Sequence, residues 1–305
     1  MKVAVYHKSV PNAKSQEKID LLRFYAEGVR NSGDTVIDVN DYRVQSADAS
    51  VIQGWISRDT ARPHLALRNS VIQRQSYVVG VDSNLFLYAD TTNSQHYLRY
   101  SFNGIFPNTG IYCDNEVDPA RWQQISQDLN IQLKPYRTQG THILLLLQRN
   151  GGWSMGGYDV QEWAASVINT IRQHTDRPIV VRAHPGDKAA REYLDSTNPK
   201  CKIKFVDNVR LSTNKNLVDD LKDCWAAVNN NSSPVVGAAI EGVPIFVTDS
   251  AKSQCAEIAN TDLSKIECPE LLDRQAWVER LSMFHWKFSE LKSGACWQHM
   301  RRWIK

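Results

Sequence analysis

The sequence predicts an α/β protein made of two Rossmann-like domains, and three observations support this. The chain has 305 residues, which suits two domains of about 130–150 residues better than one core. Short β-branched strands alternate with amphipathic helices, which is typical of parallel sheets with helical crossovers. A polar stretch at residues 134–140 separates two such runs. We therefore expect an N-terminal domain over residues 1–137, a second over 138–284, and a C-terminal helix over 285–305 that could return to the first.

The first half of the chain opens with a strand at Val3–Tyr6. A helix follows over residues 16–31, with Ile19, Leu22, Tyr25 and Ala26 at helical spacing. Further predicted elements are strands at 35–39, 50–55, 77–81 and 85–88, and a helix at 63–75. Residues 90–118 are rich in Asn, Gly and Pro, which predicts long functional loops.

The second half of the chain begins with an apolar strand at His142–Gln148, whose pattern indicates full burial. A helix follows, with Val160, Ala164 and Ile168 among the apolar residues on one face. The remaining predicted elements are strands at 178–182, 202–206, 226–229 and 243–248, and helices at 216–225, 234–241, 269–284 and 289–303. The alternation predicts a doubly wound sheet.

Composition excludes several classes of protein. Hydrophobic residues make up 42% and charged residues 23% of the chain, as in globular proteins. No apolar run approaches the roughly 20 residues that span a bilayer, and the N-terminus lacks the apolar region of a signal peptide. The six scattered cysteines have neither zinc nor redox spacing, so we expect reduced thiols in a cytoplasmic protein. The formal net charge of +3 permits a polyanionic partner without requiring one.

Three loops of the second half are predicted to follow parallel strands at their carboxyl ends, where open α/β sheets bind ligands. The first contains Arg149, Asn150, Gly151 and Gly152. Its glycines allow a ligand to approach the backbone closely, and its arginine suits a phosphate. It matches neither a Walker loop nor a dinucleotide fingerprint, and a flexible connection would look the same.

The second loop is Arg182-Ala183-His184-Pro185. Proline restricts the turn, and the histidine presents a ring donor at the end of the strand. A histidine in this position can also be structural. The neighbouring arginine and the predicted location favour a binding role.

The third loop runs from Asn229 through Asn231, Ser232 and Ser233 to Pro234. Either serine suits an N-cap, and proline suits the first helical position. Backbone amides at the start of a helix attract anions such as a diphosphate. Capping alone would not require five consecutive short polar side chains, so we expect an anion site.

These motifs carry a family resemblance. His184-Pro185, then Ser232-Ser233, then Glu241-Gly242-Val243-Pro244 resemble, in order and spacing, GT-B glycosyltransferases of the capsule and teichoic-acid kind. Residues 286–297 also look like the tail of bacteriophage-encoded, DNA-modifying glycosyltransferases. The resemblance covers residues 140–305 by motif and the N-terminal half only by pattern.

The resemblance implies two Rossmann-like domains facing across a cleft, with a nucleotide-sugar donor in the C-terminal domain and an acceptor in the N-terminal domain. Arg182, His184, Ser232 and Ser233 would hold the diphosphate of the donor, which we expect to be a UDP-sugar. Glu241 would accept the ribose hydroxyls, or it is a solvated helix end. The resemblance implies no metal or other cofactor, and the chain has no Asp-x-Asp in a suitable loop.

Sugar transfer to a hydroxyl needs a general base, which we expect in the N-terminal domain. Asp82 is the first candidate because it ends a predicted strand and Ser83-Asn84 suggests a turn. Asp114 and His7 are the alternatives. Position in the sequence is the basis for all three, because the family motifs do not reach them.

We expect the acceptor to be a hydroxymethylated pyrimidine in double-stranded DNA of a phage. Such an enzyme needs phosphate contacts and an extruded base, and basic residues are available in the N-terminal half and the tail. The candidates are Lys8, Lys14, Arg43, Arg62, Arg99, Lys287, Lys292, Arg301, Arg302 and Lys305. The alternatives are a glycosyl- or glycerophosphotransferase acting on a cell-surface polysaccharide, a non-hydrolysing sugar epimerase, and a non-catalytic nucleotide- or DNA-binding module.

Overall fold

The structure, a computed structural model, describes residues 1–11, 16–55 and 61–305. Within these residues the chain forms eleven strands and ten α-helices. The strands are β1 (Lys2–Tyr6), β2 (Thr35–Val39), β3 (Ala49–Val51), β4 (Val78–Asp82), β5 (Leu98–Phe102), β6 (His142–Leu146), β7 (Ile179–Arg182), β8 (Val209–Leu211), β9 (Cys224–Asn229), β10 (Ile245–Val247) and β11 (His285–Trp286). The helices are α1 (Gln16–Asn31), α2 (Pro63–Arg74), α3 (Pro119–Leu129), α4 (Val160–Arg172), α5 (Ala190–Tyr193), α6 (Leu217–Leu221), α7 (Pro234–Ile240), α8 (Gln275–Ser282), α9 (Phe288–Ser293) and α10 (Ala295–Met300).

The chain divides into two compact units. The first contains Met1–Asn84, Asn93–Asp128 and Glu279–Lys305, and the second contains Leu85–Thr92 and Leu129–Val278. The chain therefore passes between the units more than once. The C-terminal residues belong to the first unit, and an eight-residue segment of the first half belongs to the second.

The first unit contains a six-stranded sheet in the order β11-β5-β4-β3-β1-β2. Strands β1 to β4 are parallel, as the alternating pattern predicts, whereas β5 and β11 add antiparallel strands at one edge. The prediction of irregular structure throughout residues 90–118 is wrong at β5. There, four of the five residues are buried, because the strand lies between two neighbours in the sheet.

Residues 85–88 form consecutive turns instead of the predicted strand. Leu85, Phe86 and Tyr88 are nevertheless buried. An apolar run this short signals burial without showing whether the backbone is extended. The sequence therefore predicted the burial of these side chains correctly, but it did not predict their backbone conformation.

The core of the first unit includes helices from both ends of the chain. Helix α1 buries Leu22, Tyr25 and Ala26 as predicted, whereas Ile19 is exposed. Trp297 of α10 is almost fully buried, and its indole N–H donates to Asp34 Oδ2 at 2.7 Å. The predicted single helix at 289–303 is two short helices, because Gly294 adopts a φ of 92° between them.

The second unit contains a five-stranded sheet in the order β10-β9-β6-β7-β8, and all its strands are parallel. Central strand β6 is buried along its whole length, as its continuous apolar sequence predicts. Helix α4 buries the predicted face, which includes Val160, Ala164 and Ile168. The doubly wound α/β fold predicted for this half is confirmed.

The predicted strand at residues 202–206 is wrong, since the edge strand is β8 at Val209–Leu211. Asp207 and Asn208 adopt left-handed φ values of 51° and 64°, and Arg172 Nη2 donates to the Asp207 carbonyl at 2.9 Å. Because of this tight turn, the strand begins only at Val209. Likewise, the predicted helix at 216–225 ends at Leu221, because β9 already begins at Cys224.

All six cysteines are free thiols. A search of the helices in the described ranges finds none with the length and apolar character needed to cross a bilayer.

Candidate functional site

The three loops singled out from the sequence follow β6, β7 and β9, which are neighbours in the sheet of the second unit. Hydrogen bonds connect them at the carboxyl edge. The backbone N–H of Asn150 donates to Asp187 Oδ2 at 2.9 Å, joining the first loop to the segment after His184. Gln148 Nε2 donates to Asn231 Oδ1 at 2.8 Å, joining the first loop to the third. The structure thus brings the three predicted loops together.

His184 is half-buried and its ring orientation is defined by the backbone. Its Nδ1 accepts the N–H of Gly186 at 3.0 Å, which places the proton of the neutral ring on Nε2. Burial, followed by the nearby Arg149 guanidinium, lowers the pKa of His184 below its ordinary value. No described residue forms a hydrogen bond with Nε2. His184 therefore offers a neutral N–H donor at the end of β7.

The two arginines predicted for the site differ in their partners. Arg182 forms an ion pair with buried Asp220 and donates to the carbonyls of Asn214 at 3.0 Å and Lys215 at 2.8 Å. Arg149 is exposed, and its guanidinium has no ion pair or hydrogen bond within the described part of the chain. Arg182 therefore holds the loop after β8, and Arg149 is the cation available to a ligand.

Asp187 is a residue that the sequence analysis missed. Its Oδ2 accepts from Asn150 N–H and from the Tyr193 hydroxyl at 2.6 Å, and its Oδ1 accepts from Ala189 N–H at 3.2 Å. Burial opposes ionisation, but these bonds and the nearby Arg149 together lower the pKa of Asp187. An aspartate after Pro-Gly looks like an ordinary turn residue, so its sequence context gave no signal of this connecting role.

The third loop is a buried polar network. Asn231 Nδ2 donates to Asp249 Oδ2 at 3.0 Å, and Gln148 Nε2 also donates to Ser154 Oγ at 3.0 Å. Asn229 is fully buried and donates to the Ser232 carbonyl at 2.7 Å, while its Oδ1 lacks a hydrogen-bond partner among the described residues. These contacts hold the ends of β6, β9 and β10 at one edge.

The predicted side-chain cap of α7 is wrong. Ser233 stands at the N-cap position, but it makes no capping hydrogen bond and already has helical backbone angles of −59° and −31°. An N-cap side chain reaches the free amides from an extended backbone, so this serine cannot. Both serines are half-buried, and Ser232 Oγ belongs to the network because it accepts from Asn229 Nδ2 at 3.0 Å.

Glu241 is not brought together with the other predicted residues. It precedes β10, whereas the three loops follow their strands, so it lies toward the opposite edge of a parallel sheet. Its carboxylate is buried and accepts from the Tyr88 hydroxyl at 3.0 Å and from Lys134 Nζ at 2.5 Å. Glu241 is not the solvated helix end of the alternative prediction, because it is only 8% exposed.

In the first unit, His7 follows β1 at the carboxyl edge of the parallel strands. Its Nε2 lies 2.8 Å from Asp38 Oδ1, and Arg30 forms an ion pair with the other oxygen of Asp38. An Nε2–H bonded to Asp38 leaves Nδ1 as a proton acceptor. Nδ1 has no partner among the residues that the structure describes.

The carboxylates of the other two candidate bases, Asp82 and Asp114, already form ion pairs with arginines. Asp82 forms an ion pair with buried Arg99 through Oδ2 and accepts the Ser83 N–H at 2.8 Å through Oδ1. Asp114 Oδ2 lies 2.8 Å from Arg280 Nη1. Each carboxylate thus already neutralises a guanidinium, and His7 is left as the candidate with an available ring nitrogen.

The basic residues proposed as DNA contacts are largely paired with acids. In the tail, Lys287 pairs with Asp128, Lys292 with Glu27, Arg301 with Asp34 and Arg302 with Glu116. Arg99 is buried against Asp82, and Arg43 pairs with Asp41. Lys8 and Arg62 are exposed, and Lys14 lies outside the described residues. Most of the tail's positive charge is therefore offset within the first unit.

Comparison with known proteins shows similarity at the level of fold. No family model matches the chain, and no curated protein matches it. Among solved structures, it is similar to the β-Kdo 2,4 transferase of KpsC from Thermosulfurimonas dismutans, with a TM-score of 0.57, 14% identity, and coverage of 93% of this chain and 91% of the other. The β-Kdo 2,7 transferase of the same KpsC gives a TM-score of 0.51 and 13% identity over 98% and 99% of the two chains. The chain therefore has the GT-B fold of these transferases, as the motifs had indicated.

Proposed function

We propose that this chain is a glycosyltransferase that moves a sugar from a nucleotide-activated donor to a hydroxyl group. The observation that carries this proposal is the pair formed by His184 and Arg149 at the carboxyl edge of the second sheet. A neutral ring N–H and a guanidinium with no partner among the described residues can stabilise the charge of a departing phosphate. The GT-B fold supports the reaction class by association only.

In the proposed reaction, the acceptor oxygen forms a bond to the anomeric carbon of the donor sugar. The bond from that carbon to the phosphate oxygen of the nucleotide breaks, and the phosphate leaves with the electron pair. Arg149 and the Nε2–H of His184 meet the charge that develops there. Asp187 acts as a positioning residue, because its side chain holds the loop that carries Arg149. Arg182 lies at the end of the strand that leads to His184 and holds the loop after β8.

We propose that His7 takes the proton of the acceptor hydroxyl. Asp38 accepts a hydrogen bond from one ring nitrogen, which would hold the ring in place and stabilise its charged form once the proton arrives. The partners of Asp82 and Asp114 support this choice, because each of those carboxylates would have to leave an arginine to act.

As the acceptor, we favour a saccharide hydroxyl over a hydroxymethylated base in DNA. Ion pairs offset most of the positive charge of the tail, which DNA binding would use for phosphate contacts. The names of the two KpsC transferases also favour a glycan. For the donor, we keep a UDP-sugar as the first candidate and include other nucleotides in the test.

The function is tested in two steps. The first is thermal unfolding of the protein with UDP, CMP, CDP and GDP, and we expect at least one to raise the midpoint. The second is mass spectrometry of acceptors after incubation with donors carrying these nucleotides. One acceptor set contains capsule-type oligosaccharides, and the other contains hydroxymethylated DNA. A sugar adduct on either set supports transfer and identifies the acceptor, whereas the absence of any stabilising nucleotide would contradict the proposal.

His184→Ala tests the donor site. We expect the dissociation constant of the stabilising nucleotide to rise about 10- to 150-fold, converted from about 1.5–3 kcal/mol for a hydrogen bond to a charged group. Isothermal titration calorimetry measures the change. His174→Ala is the matched control, because this histidine of the second unit is exposed. Equal affinities for wild type and His184→Ala would remove His184 from the site.

His7→Ala tests the proposed base. We expect kcat to fall about 10²- to 10⁴-fold, the range for loss of general base catalysis, with unchanged affinity for the nucleotide. Asp38→Asn should lower kcat less, because the ring stays while its orientation is weakened. His96→Ala is the control, since this histidine of the first unit is also exposed. Normal turnover in His7→Ala together with loss in Asp82→Asn would assign the role to Asp82.

A further inference from the structure

Tyr158 is an aromatic residue that no part of the proposed reaction uses. The residue is 74% exposed, the highest value among the exposed large hydrophobic residues of the described ranges. The ring makes no hydrogen bond and no aromatic contact with any residue that the structure describes. Most of the surface of this residue is therefore accessible to a partner.

The backbone beneath Tyr158 is held in place although the ring is open. The N–H of Tyr158 donates to the Met155 carbonyl at 3.1 Å, and the Met155 side chain is buried. The next residue, Asp159, accepts the Gln161 N–H at 2.7 Å and so caps α4. Tyr158 therefore lies in a turn whose backbone is held by hydrogen bonds.

Tyr158 also lies close to the candidate site. Val160 N–H donates to Asn150 Oδ1 at 3.3 Å, which closes the loop after β6 on itself. Two residues span at most about 7 Å, so Tyr158 is near Asn150, the residue that follows Arg149. Asn150 is in turn bonded to Asp187 of the His184 loop. An exposed tyrosine and an arginine that is unpaired within the described ranges therefore share one loop at the carboxyl edge of the sheet.

We propose that Tyr158 is the stacking platform for the base of the donor nucleotide, while Arg149 on the same loop meets its phosphate. This subsite rests on the proposed function and adds to it the residue that holds the nucleoside. Every nucleobase presents a π-face, so stacking on tyrosine tolerates all of them. Tyr158 therefore contributes affinity for nucleotides as a class, and the choice among bases comes from other groups.

The test compares Tyr158→Ala and Tyr158→Phe with wild type by isothermal titration calorimetry. The probes are UDP, CMP and GDP, together with inorganic pyrophosphate, which has no base. In Tyr158→Ala we expect nucleotide affinity to fall about 5- to 150-fold, converted from about 1–3 kcal/mol per stacked base. Pyrophosphate affinity should not change. Tyr158→Phe retains the ring and should bind each nucleotide like wild type. Tyr42→Ala, a change at another exposed tyrosine, is the control.

The outcomes separate this inference from the proposed function. If wild type binds nucleotides and Tyr158→Ala binds them equally well, the stacking role is overturned and the transferase proposal stands. Equal losses for nucleotide and pyrophosphate would show that Tyr158 only supports the loop, which also overturns the stacking role. If wild type binds none of the nucleotides, both proposals fail together.

Discussion

The partners of a residue, more than its type, decide its role in this chain. Arg149 and Arg182 both follow strands of the second sheet, yet one is unpaired among described residues and the other is committed to Asp220. His184 and His285 both have lowered pKa values, yet one is half-buried at a sheet edge and the other is fully buried. For the two arginines, the local sequence does not show which one is paired.

His285 makes folding of the first unit sensitive to acid. Its Nδ1–H donates to the Leu281 carbonyl at 2.8 Å, and burial lowers the pKa of His285 to about 3 despite this bond. In the unfolded chain the pKa is about 6.5. Between these values the unfolded chain binds a proton that the folded chain excludes. The contribution of neutral His285 to the free energy of unfolding is therefore complete above about pH 6.5 and is lost as the pH falls toward 3.

We predict that urea unfolding will show a falling free energy between pH 7 and pH 4.5, with at most about 1.4 kcal/mol per pH unit from each buried histidine. His285→Gln should flatten this dependence, whatever its effect at pH 7. His174→Ala, which changes an exposed histidine, should leave the slope as it is. A slope that is the same in His285→Gln and wild type would show that another group titrates.

At the scale of elements, α1 and α9 of the first unit approach each other closely at Gly28. A side chain on Gly28 of α1 would overlap the Leu291 carbonyl oxygen and stand 3.0 Å from the Gly294 Cα. The helices can therefore pack at this distance only if residue 28 has no Cβ. Gly294 is constrained as well, since its φ of 92° turns the chain from α9 into α10.

Gly28→Ala should lower the free energy of unfolding by about 1–3 kcal/mol, the usual cost of overpacking. This sign is the opposite of the gain of about 1 kcal/mol that alanine brings to an exposed helix position. The measurement is urea unfolding, and Glu27→Ala on the same helix is the control, because its carboxylate makes only a long, exposed ion pair with Lys292. A stabilised Gly28→Ala would contradict the close packing of α1 and α9.

The elements that the sequence predicted correctly are those with a long or uninterrupted pattern. Strand β6 is continuously apolar, and α4 repeats its apolar face over three turns, so burial and conformation follow together. The errors concern short segments: residues 85–88 are a brief apolar run, and residues 202–206 mix polar and apolar side chains over only five positions. In the second case, the left-handed turn at Asp207 and Asn208 decides where the strand begins, and neither residue type demands that turn.

At the scale of the whole molecule, the first unit draws on three separate segments of the chain. Its core includes Trp286, Leu291 and Trp297 from the C-terminus together with Leu22 and Tyr25 from α1. A fragment that ends at residue 137 would therefore lack part of its own core. The segment Leu85–Thr92 makes the second unit discontinuous too, because Tyr88 packs on Gly237 and donates to Glu241.

The sequence by itself determined the α/β class, the doubly wound second half and the three loops at its carboxyl edge. These features depend on periodicity and on strand order, which are local or nearly local properties. Only the tertiary structure decided that Arg182 faces Asp220, that His7 meets Asp38, that Glu241 is buried beside Tyr88, and that the C-terminus completes the first unit. The physical reason is that the partners of a polar or charged side chain lie 31 to 153 residues away in these contacts, and only folding brings them together.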